Sequence, residues 1–310
     1  MNYLKNFMTT TVKKLSKKLI THNGAFHADD IFATAALEMM LEAEGESYEL
    51  IRTRDEAVLK TGDYVYDVGG IYDEDKNRFD HHQVGGAGRG PENIEYSSLG
   101  LVWKKFGEKL AGSKRAADII EKNLCAPIDA WDNGFDLVEN KHEITPFYLQ
   151  NVFSTMMPTW KEMDINIDEV FLKCVEIAKI ILERTIKQAQ DILEGEEAVI
   201  SIYNNSDDKK IIILDKNYPF EYILANLPEP LFVVYPRKAN NDWGVRTVRS
   251  DMKSFVNRKN LPKIWAGLKD DELQNVTGVR DAVFCHRTLF VAVAKSKVGA
   301  VKLAQIAVES

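Results

Sequence analysis

Between residues 18 and 66 the chain alternates short apolar runs with helical patterns, and few folds accept that alternation. Residues 18–21, 48–52 and 63–66 read as strands. Residues 31–44 are rich in good helix formers with apolar side chains at helical spacing, and Gly45 follows as a stop. Residues 55–60 read as a second, short helix. Strand–helix–strand order with apolar strands predicts an α/β fold, a parallel sheet with helices on both faces. Such sheets bind ligands beyond the carboxyl ends of their strands. The residues that follow each strand are therefore where chemistry is expected.

Those positions hold imidazoles and carboxylates. Thr21-His22-Asn23-Gly24-Ala25-Phe26-His27-Ala28-Asp29-Asp30 follows the first strand, and Asp67 opens the segment after the third, which ends in Asp80-His81-His82-Gln83. Oxygen and borderline nitrogen donors packed this densely suit Mn²⁺, Fe²⁺ or Zn²⁺. A polar turn is the plain alternative for Asp80-His81-His82, and helix capping is the plain alternative for Asp30. With His22 and Asp67 at one sheet edge, two local motifs become one predicted site. Asp132-Asn133-Gly134 would be an ordinary turn alone; beside these motifs it supplies a further carboxylate. The loop 83–91, with small residues around Arg89, is either a connector or a segment that approaches a phosphate.

At 310 residues and 45% hydrophobic, the chain can bury a sizeable core and divide into two domains. The expected division is a basic tail at 1–18, a metal-binding domain at 19–165, a linking helix at 166–195 and a second domain at 196–310. Further helices are expected at 97–106 and 114–124, and a long one from 167 to 194 that Gly195 ends. In the second domain, strands are expected at 198–203, 211–214, 231–235, 243–248, 282–286 and 289–293, with helices at 221–227 and 297–308. A formal net charge of −7 argues against a general polyanion-binding surface but permits a local basic channel. Cations cluster from Arg237 to Lys263 with Trp243, Phe255 and Trp265 among them, a composition that suits single-stranded nucleic acid. A solvated face over core aromatics is the alternative. Three distant cysteines without a CxxC suggest neither a zinc ribbon nor disulfides, and fit a reducing compartment. No apolar run approaches the roughly 20 residues needed to span a bilayer, so a soluble intracellular protein without a membrane partner is expected. The cytoplasm is the simplest address; the lysine-rich, acid-free first 18 residues leave organelle import open.

Taken together, His22 to Asp30, Asp67-Val68-Gly69-Gly70, Arg78-Phe79-Asp80-His81-His82-Gln83 and Asp132-Asn133-Gly134 resemble the melanocyte-proliferating-gene (MYG) family. So do Asn257-Arg258-Lys259-Asn260-Leu261-Pro262, Trp265-Ala266-Gly267-Leu268 and Phe284-Cys285-His286. The resemblance covers nearly the whole chain from Leu19. That family looks like a branch of the DHH phosphoesterase superfamily, named for the Asp-His-His that is here Asp80-His81-His82, and is associated with 3′→5′ exonuclease activity on RNA. The resemblance implies a DHH-type parallel-sheet domain, a smaller α/β second domain and RNA or short oligonucleotides as substrate. It also implies two divalent cations, Mn²⁺ favoured, with Mg²⁺ or Zn²⁺ as alternatives. One would be held by His22, His27 and Asp67, the other by Asp29, Asp67, His81 and Asp132. Asp67 and His82 would act in catalysis, with Asp80 orienting the histidines and Asp129 at most in support. Arg89, Arg258, Lys259 and His286 would contact substrate. His27 stands where the superfamily has an aspartate, with one extra residue in the spacing, and residues 287–294 replace a glycine-rich stretch. Two other readings use the same residues: a small-molecule phosphohydrolase acting on pyrophosphate or nucleotides, and a nucleic-acid-binding relative without catalysis. Oligomeric state is left open, a homodimer included.

Overall fold

β1 (Lys17–Thr21) must be an inner strand, because Leu19 and Ile20 point to opposite faces and both are wholly buried. In the computed structural model, which describes residues 16–238, 241–252 and 254–310, β1 is flanked on both sides. Residues 1–15 of the basic tail lie outside the described residues. The chain passes through α1 (Ala28–Ala43) to β2 (Tyr48–Arg52), then through α2 (Glu56–Leu59) to β3 (Tyr64–Tyr66). β4 (Tyr72–Asp73) and β5 (Arg78–Phe79) complete a five-stranded sheet in the order β2-β1-β3-β5-β4. All its pairings are parallel except that of β4 with β5.

The two faces of this sheet are covered unequally. On one, α1 packs against α3 (Ser98–Ala111); Tyr66 meets Thr34 of α1 at 2.7 Å, and Tyr64 and Phe79 stand edge-on to Phe106 of α3. On the other, Ile20, Val65 and Val68 form a small cluster with Val58 and Leu59 of α2, a helix of four residues. Gly62 leads into β3 here. A Cβ on it would lie 2.7 Å from Val65 Cγ2 and 2.9 Å from Ile20 Cδ1, so the approach depends on a missing side chain.

α4 (Lys114–Ile120) runs through a π-helical turn at Glu121–Cys125 into α5 (Ala126–Asp132). The Asp132-Asn133-Gly134 turn is the stop of α5. Gly134 has φ +68° and donates to Trp131 O at 3.1 Å, while Phe135 N–H reaches Ala130 O at 2.7 Å, the two bonds of a Schellman motif. α6 (Leu149–Ser154), not anticipated from sequence, follows.

α7 (Ile167–Asn205) corrects the sequence reading. Gly195 does not end it, and residues 198–203 are helix rather than strand. Those residues are β-formers by composition, but Val199 and Tyr203 fall four apart on one helical face and bury against Ile212, Leu214 and Val233. Gly195 serves approach instead: a Cβ there would stand 2.6 Å from Pro219 Cδ. Two compact units divide within this helix, between Gln190 and Asp191. Among the described residues no helix is long and apolar enough to cross a membrane.

The second unit has β6 (Ile211–Ile213), α8 (Glu221–Ala225), β7 (Phe232–Pro236), β8 (Trp243–Thr247), α9 (Asp270–Thr277), β9 (Ala282–Cys285), β10 (Val291–Ala294) and α10 (Lys297–Glu309). Its sheet runs β6-β7-β8-β10-β9, with β6 parallel to β7 and the remaining pairs antiparallel. Val234 and Val245 join Trp265, Leu273, Leu303 and Ala304 in one core, while Val233 and Tyr235 face the end of α7 in another. The smaller α/β unit expected from sequence is present.

Because overpacking costs about 1–3 kcal/mol and valine gains little helix propensity over glycine, Gly195→Val should lower the unfolding free energy by about 2 kcal/mol. Urea denaturation measures this; an unshifted midpoint would mean that the Pro219 segment yields freely.

Candidate metal centre

Three strands of the parallel sheet each end in a residue suited to ligation: His22 follows β1, Asp67 follows β3, and Asp80-His81-His82 follows β5. Asp29 and Asp30 come from the first turn of α1, and Asp132 from the last residue of α5. Asp67 lies between the histidines. Its Oδ2 is 3.1 Å from His22 Nε2, and its Oδ1 is 3.3 Å from His81 Nε2. His81 Nε2 is also 3.2 Å from Asp132 Oδ2, and Asp132 Oδ1 is 3.6 Å from His27 Nδ1. Among the described residues, donor atoms within 4.8 Å of one another form three groups: His22, Asp30 and Asp67; Asp67, His81 and His82; His27, Asp29 and Asp132. Each of the six ligands expected from sequence falls in one of these groups, but His27 stands with Asp29 and Asp132 rather than with His22 and Asp67.

Asp30 joins them, which the sequence did not decide. Its Oδ1 caps α1 by accepting the His27 N–H at 2.9 Å, as expected, and its Oδ2 lies 3.3 Å from His22 Nε2. Capping explained this aspartate well enough that nothing local marked its second contact. Arg52, at the end of β2, is another residue that sequence reasoning does not single out. Its guanidinium reaches Asp168 at 2.6 Å and Gly24 O at 2.9 Å and lies 4.3 Å from the Phe171 ring centroid, holding the loop that carries His22 and His27. A cation ending an apolar strand was the available signal.

Backbone and hydrogen bonds set these side chains. Asp67 has φ +54°, a left-handed conformation that aspartate tolerates better than most residues, and its N–H reaches Phe79 O at 3.3 Å. Asp80 stands behind His82: Oδ2 accepts the Gly70 N–H at 2.5 Å, and Oδ1 accepts the His82 N–H at 3.1 Å and meets its Nδ1 at 2.7 Å. That last bond puts a proton on Nδ1, so this nitrogen serves orientation rather than ligation. Ser98 donates to Asp29 Oδ2 at 2.8 Å. Asp129 stays outside the cluster, where its Oδ1 accepts from Ser97 Oγ at 2.6 Å, Ser97 N–H at 3.2 Å and Gly100 N–H at 3.1 Å, securing the start of α3. Gly100 is required there, because a Cβ would lie 2.3 Å from Asp129 Oδ2.

The residues fit a divalent cation. Asp29 Oδ1, Asp30 Oδ2, Asp67 Oδ1 and His81 Nε2 are buried and lack aligned hydrogen bonds, although several lie at ion-pair distance from one another. Buried polar atoms without partners are costly, and a cation satisfies several at once. Burial raises the carboxyls of Asp29 and Asp30. Burial, with the charges of Asp29 and Asp67, also carries Asp132 to about 8. On Asp67 burial acts the same way, but the contacts with His22 and His81 outweigh it and hold the group at about 2. His81 is pulled down by burial and lifted more by Asp67, Asp29 and Asp132, reaching about 9.

The expected substrate contacts fare differently. Arg89 is half exposed and paired with Glu95 within its own loop, with Asn93 O at 3.0 Å. Arg258 is committed to backbone carbonyls of Ala225, Leu227 and Pro230, and Lys259 donates to Val308 O at 2.7 Å. Both therefore bond carbonyls at or just beyond helix ends inside the second unit, contacts that account for their charges within the fold. His286 lies between the rings of Phe284 and Phe290, with Nδ1 2.7 Å from Thr288 Oγ1.

A buried set of imidazoles and carboxylates at the carboxyl edge of a parallel sheet defines an α/β protein whose site can hold metal ions. The family model MYG1_exonuc, described as an uncharacterised protein family (UPF0160), matches residues 18–308. The chain belongs to that family. It is 30% identical over 319 residues to the MYG1 exonuclease of Rattus norvegicus, covering 92% of this chain and 83% of the relative. The human MYG1 exonuclease is 29% identical over 319 residues, covering 92% and 84%. A MYG1 protein of Caenorhabditis elegans is 28% identical over 328 residues, covering 93% and 94%.

Because His81 near 9 and Asp132 near 8 hold protons at neutral pH, cation binding should release protons and affinity should rise from pH 7 to 9. Titration calorimetry with Mn²⁺ in buffers of differing ionisation enthalpy tests this. A pH-independent affinity without proton release would remove both residues from the ligand set.

Proposed function

We propose that this chain is a metal-dependent phosphodiesterase of the DHH type, a 3′→5′ exonuclease acting on RNA or short oligonucleotides. One observation carries the reading: Asp67 divides its two oxygens between His22 and His81 at a cleft of about 390 Å³. Gly69, Gly70, His27 and His82 also line that cleft. The exonuclease names of the rat and human relatives support a nucleic-acid substrate.

His22, His27 and Asp67 would hold one cation, and Asp29, Asp67, His81 and Asp132 a second. When bound, such a pair supplies an activated water and neutralises charge on the phosphate. Nitrogen donors among these residues favour Mn²⁺ over Mg²⁺. Asp30 meets the same His22 Nε2 as Asp67 and would stand beside the cation held there. His82 stands exposed at the cleft, and its imidazole is raised by Asp80, so it can face a non-bridging phosphate oxygen as a cation. Burial of the carboxylates keeps bulk water from screening them. Hydrolysis bonds the water oxygen to phosphorus, breaks the phosphorus bond to the ribose 3′ oxygen and delivers a proton to that leaving oxygen. His286, with its flanking rings, is our candidate for a nucleotide contact in the second unit.

Asp67→Ala should lower turnover of 5′-end-labelled RNA by roughly a thousandfold or more while circular dichroism stays that of the parent. Parental turnover would take Asp67 out of the reaction. Release of mononucleotides from the 3′ end is the expected product pattern. Turnover of pyrophosphate alone would reassign the site to small molecules, and no turnover with Mn²⁺, Mg²⁺ or Zn²⁺ would reject hydrolysis. Asp80→Ala frees the His82 ring and should reduce kcat by about 10–100-fold; kinetics like the parent's would show that His82 needs no such support.

A further inference from the structure

A second cavity adjoins the cleft at the metal centre. This adjoining space, about 630 Å³, shares Arg54, Val68 and Gly69 with the cleft as common walls. α2 is one short helix, and beyond Leu59 the sheet face lies open to this cavity among the described residues. Its floor is apolar: Val65 and Val68 are buried, Leu59 is half-buried, and Ile71 is 55% exposed. An exposed isoleucine continuous with a buried apolar floor is a surface that a ligand's apolar part can cover.

The rim is basic. Arg54, Lys60 and Arg78 line the cavity against the single carboxylate of Glu56. Arg78 is fixed by carbonyls of Gly62 at 3.0 Å and Lys76 at 2.8 Å. Arg54 differs. It follows β2 and stands at the wall between cavity and cleft, and its guanidinium has no hydrogen-bond or ion-pair partner among the described residues. A planar, permanently charged donor held free beside a phosphate-hydrolysing centre suits a bidentate phosphate contact.

We propose that this cavity is a nucleoside subsite: the base and ribose of the nucleotide bearing the reacting phosphate lie against Leu59, Val65, Val68 and Ile71, and Arg54 pairs with the phosphate at the shared wall. The proposal rests on the phosphodiesterase reading and deepens it by naming the ligand of the adjoining space. A nucleotide matches both halves of the lining, with an apolar base face and an anionic phosphate. Inorganic pyrophosphate offers nothing to the apolar floor.

Two measurements on the full chain with Mn²⁺ test it. The first compares kcat/KM for the p-nitrophenyl ester of thymidine 5′-monophosphate with that for bis(p-nitrophenyl) phosphate, which has no nucleoside. The parent should prefer the nucleotide ester, and Arg54→Ala and Ile71→Asp should each reduce that preference at least about fivefold. The second is equilibrium dialysis of thymidine 5′-monophosphate, where both variants should bind at least about fivefold more weakly. Arg54 loses no partner on truncation, so its variant tests the subsite even where Ile71→Asp folds poorly. A parent that hydrolyses neither ester but binds the nucleotide, with weaker binding by the variants, sinks the phosphodiesterase reading and supports the subsite. Variants that match the parent in dialysis, or a parent that binds no nucleotide, overturn the subsite whatever the turnover.

Discussion

The paired contact of Asp67 with His22 and His81 governs the first unit. It goes with a left-handed backbone at the end of β3, brings the turns after β1 and β5 to the same point, and concentrates charge inside protein. Negative carboxylates buried together repel and lack hydration, so some of them hold protons or share them with imidazoles. The raised carboxyls of Asp29, Asp30 and Asp132, and the raised His81, are the same fact seen from each group. A cation resolves the conflict more fully than any arrangement of side chains can, because it replaces lost hydration for several oxygens at once.

Such a site persists only if its members cannot relax apart. The positioning residues lie one layer out and are ordinary in kind: Arg52 gripping the Gly24 carbonyl, Asp80 gripping Gly70 and His82, Ser98 donating to Asp29, and Asp129 holding the start of α3. Each ties a segment at or beside the site to a neighbouring element. The unequal cover of the sheet has the opposite consequence. Where α1 and α3 pack, the interior is closed; where the four-residue α2 stands alone, space remains beside the edge that carries the metal-site residues.

The second unit uses its cations differently from what their density suggests. Arg258 and Lys259 look like a nucleic-acid surface in a list of residues, yet they satisfy carbonyls at the ends of α8 and α10. A helix leaves its last carbonyls without intrahelical donors, and a long cation is one answer. Charge clustering along the chain therefore carries little information about where ammonium and guanidinium groups point.

The sequence by itself determined the α/β class, a parallel sheet, the placement of His22 and Asp67 at strand ends, and family membership. These follow from local apolar periodicity and from motifs that are short and contiguous. It also identified Asp132 as a further carboxylate, although as a turn residue rather than the last residue of a helix. The tertiary structure decided what periodicity leaves open. Residues 198–203 are helix because Val199 and Tyr203 find an apolar partner sheet, which overrides their β-propensity. Asp30 caps a helix and also faces His22, and only the fold of β1 against α1 sets that second contact. Arg54 and the apolar space beside Gly69 come together from turns and strands whose sequences show no common pattern. Local sequence encodes what a residue can do within a few positions; which distant groups share its surroundings is set by packing, and the chemistry of a site belongs to those surroundings.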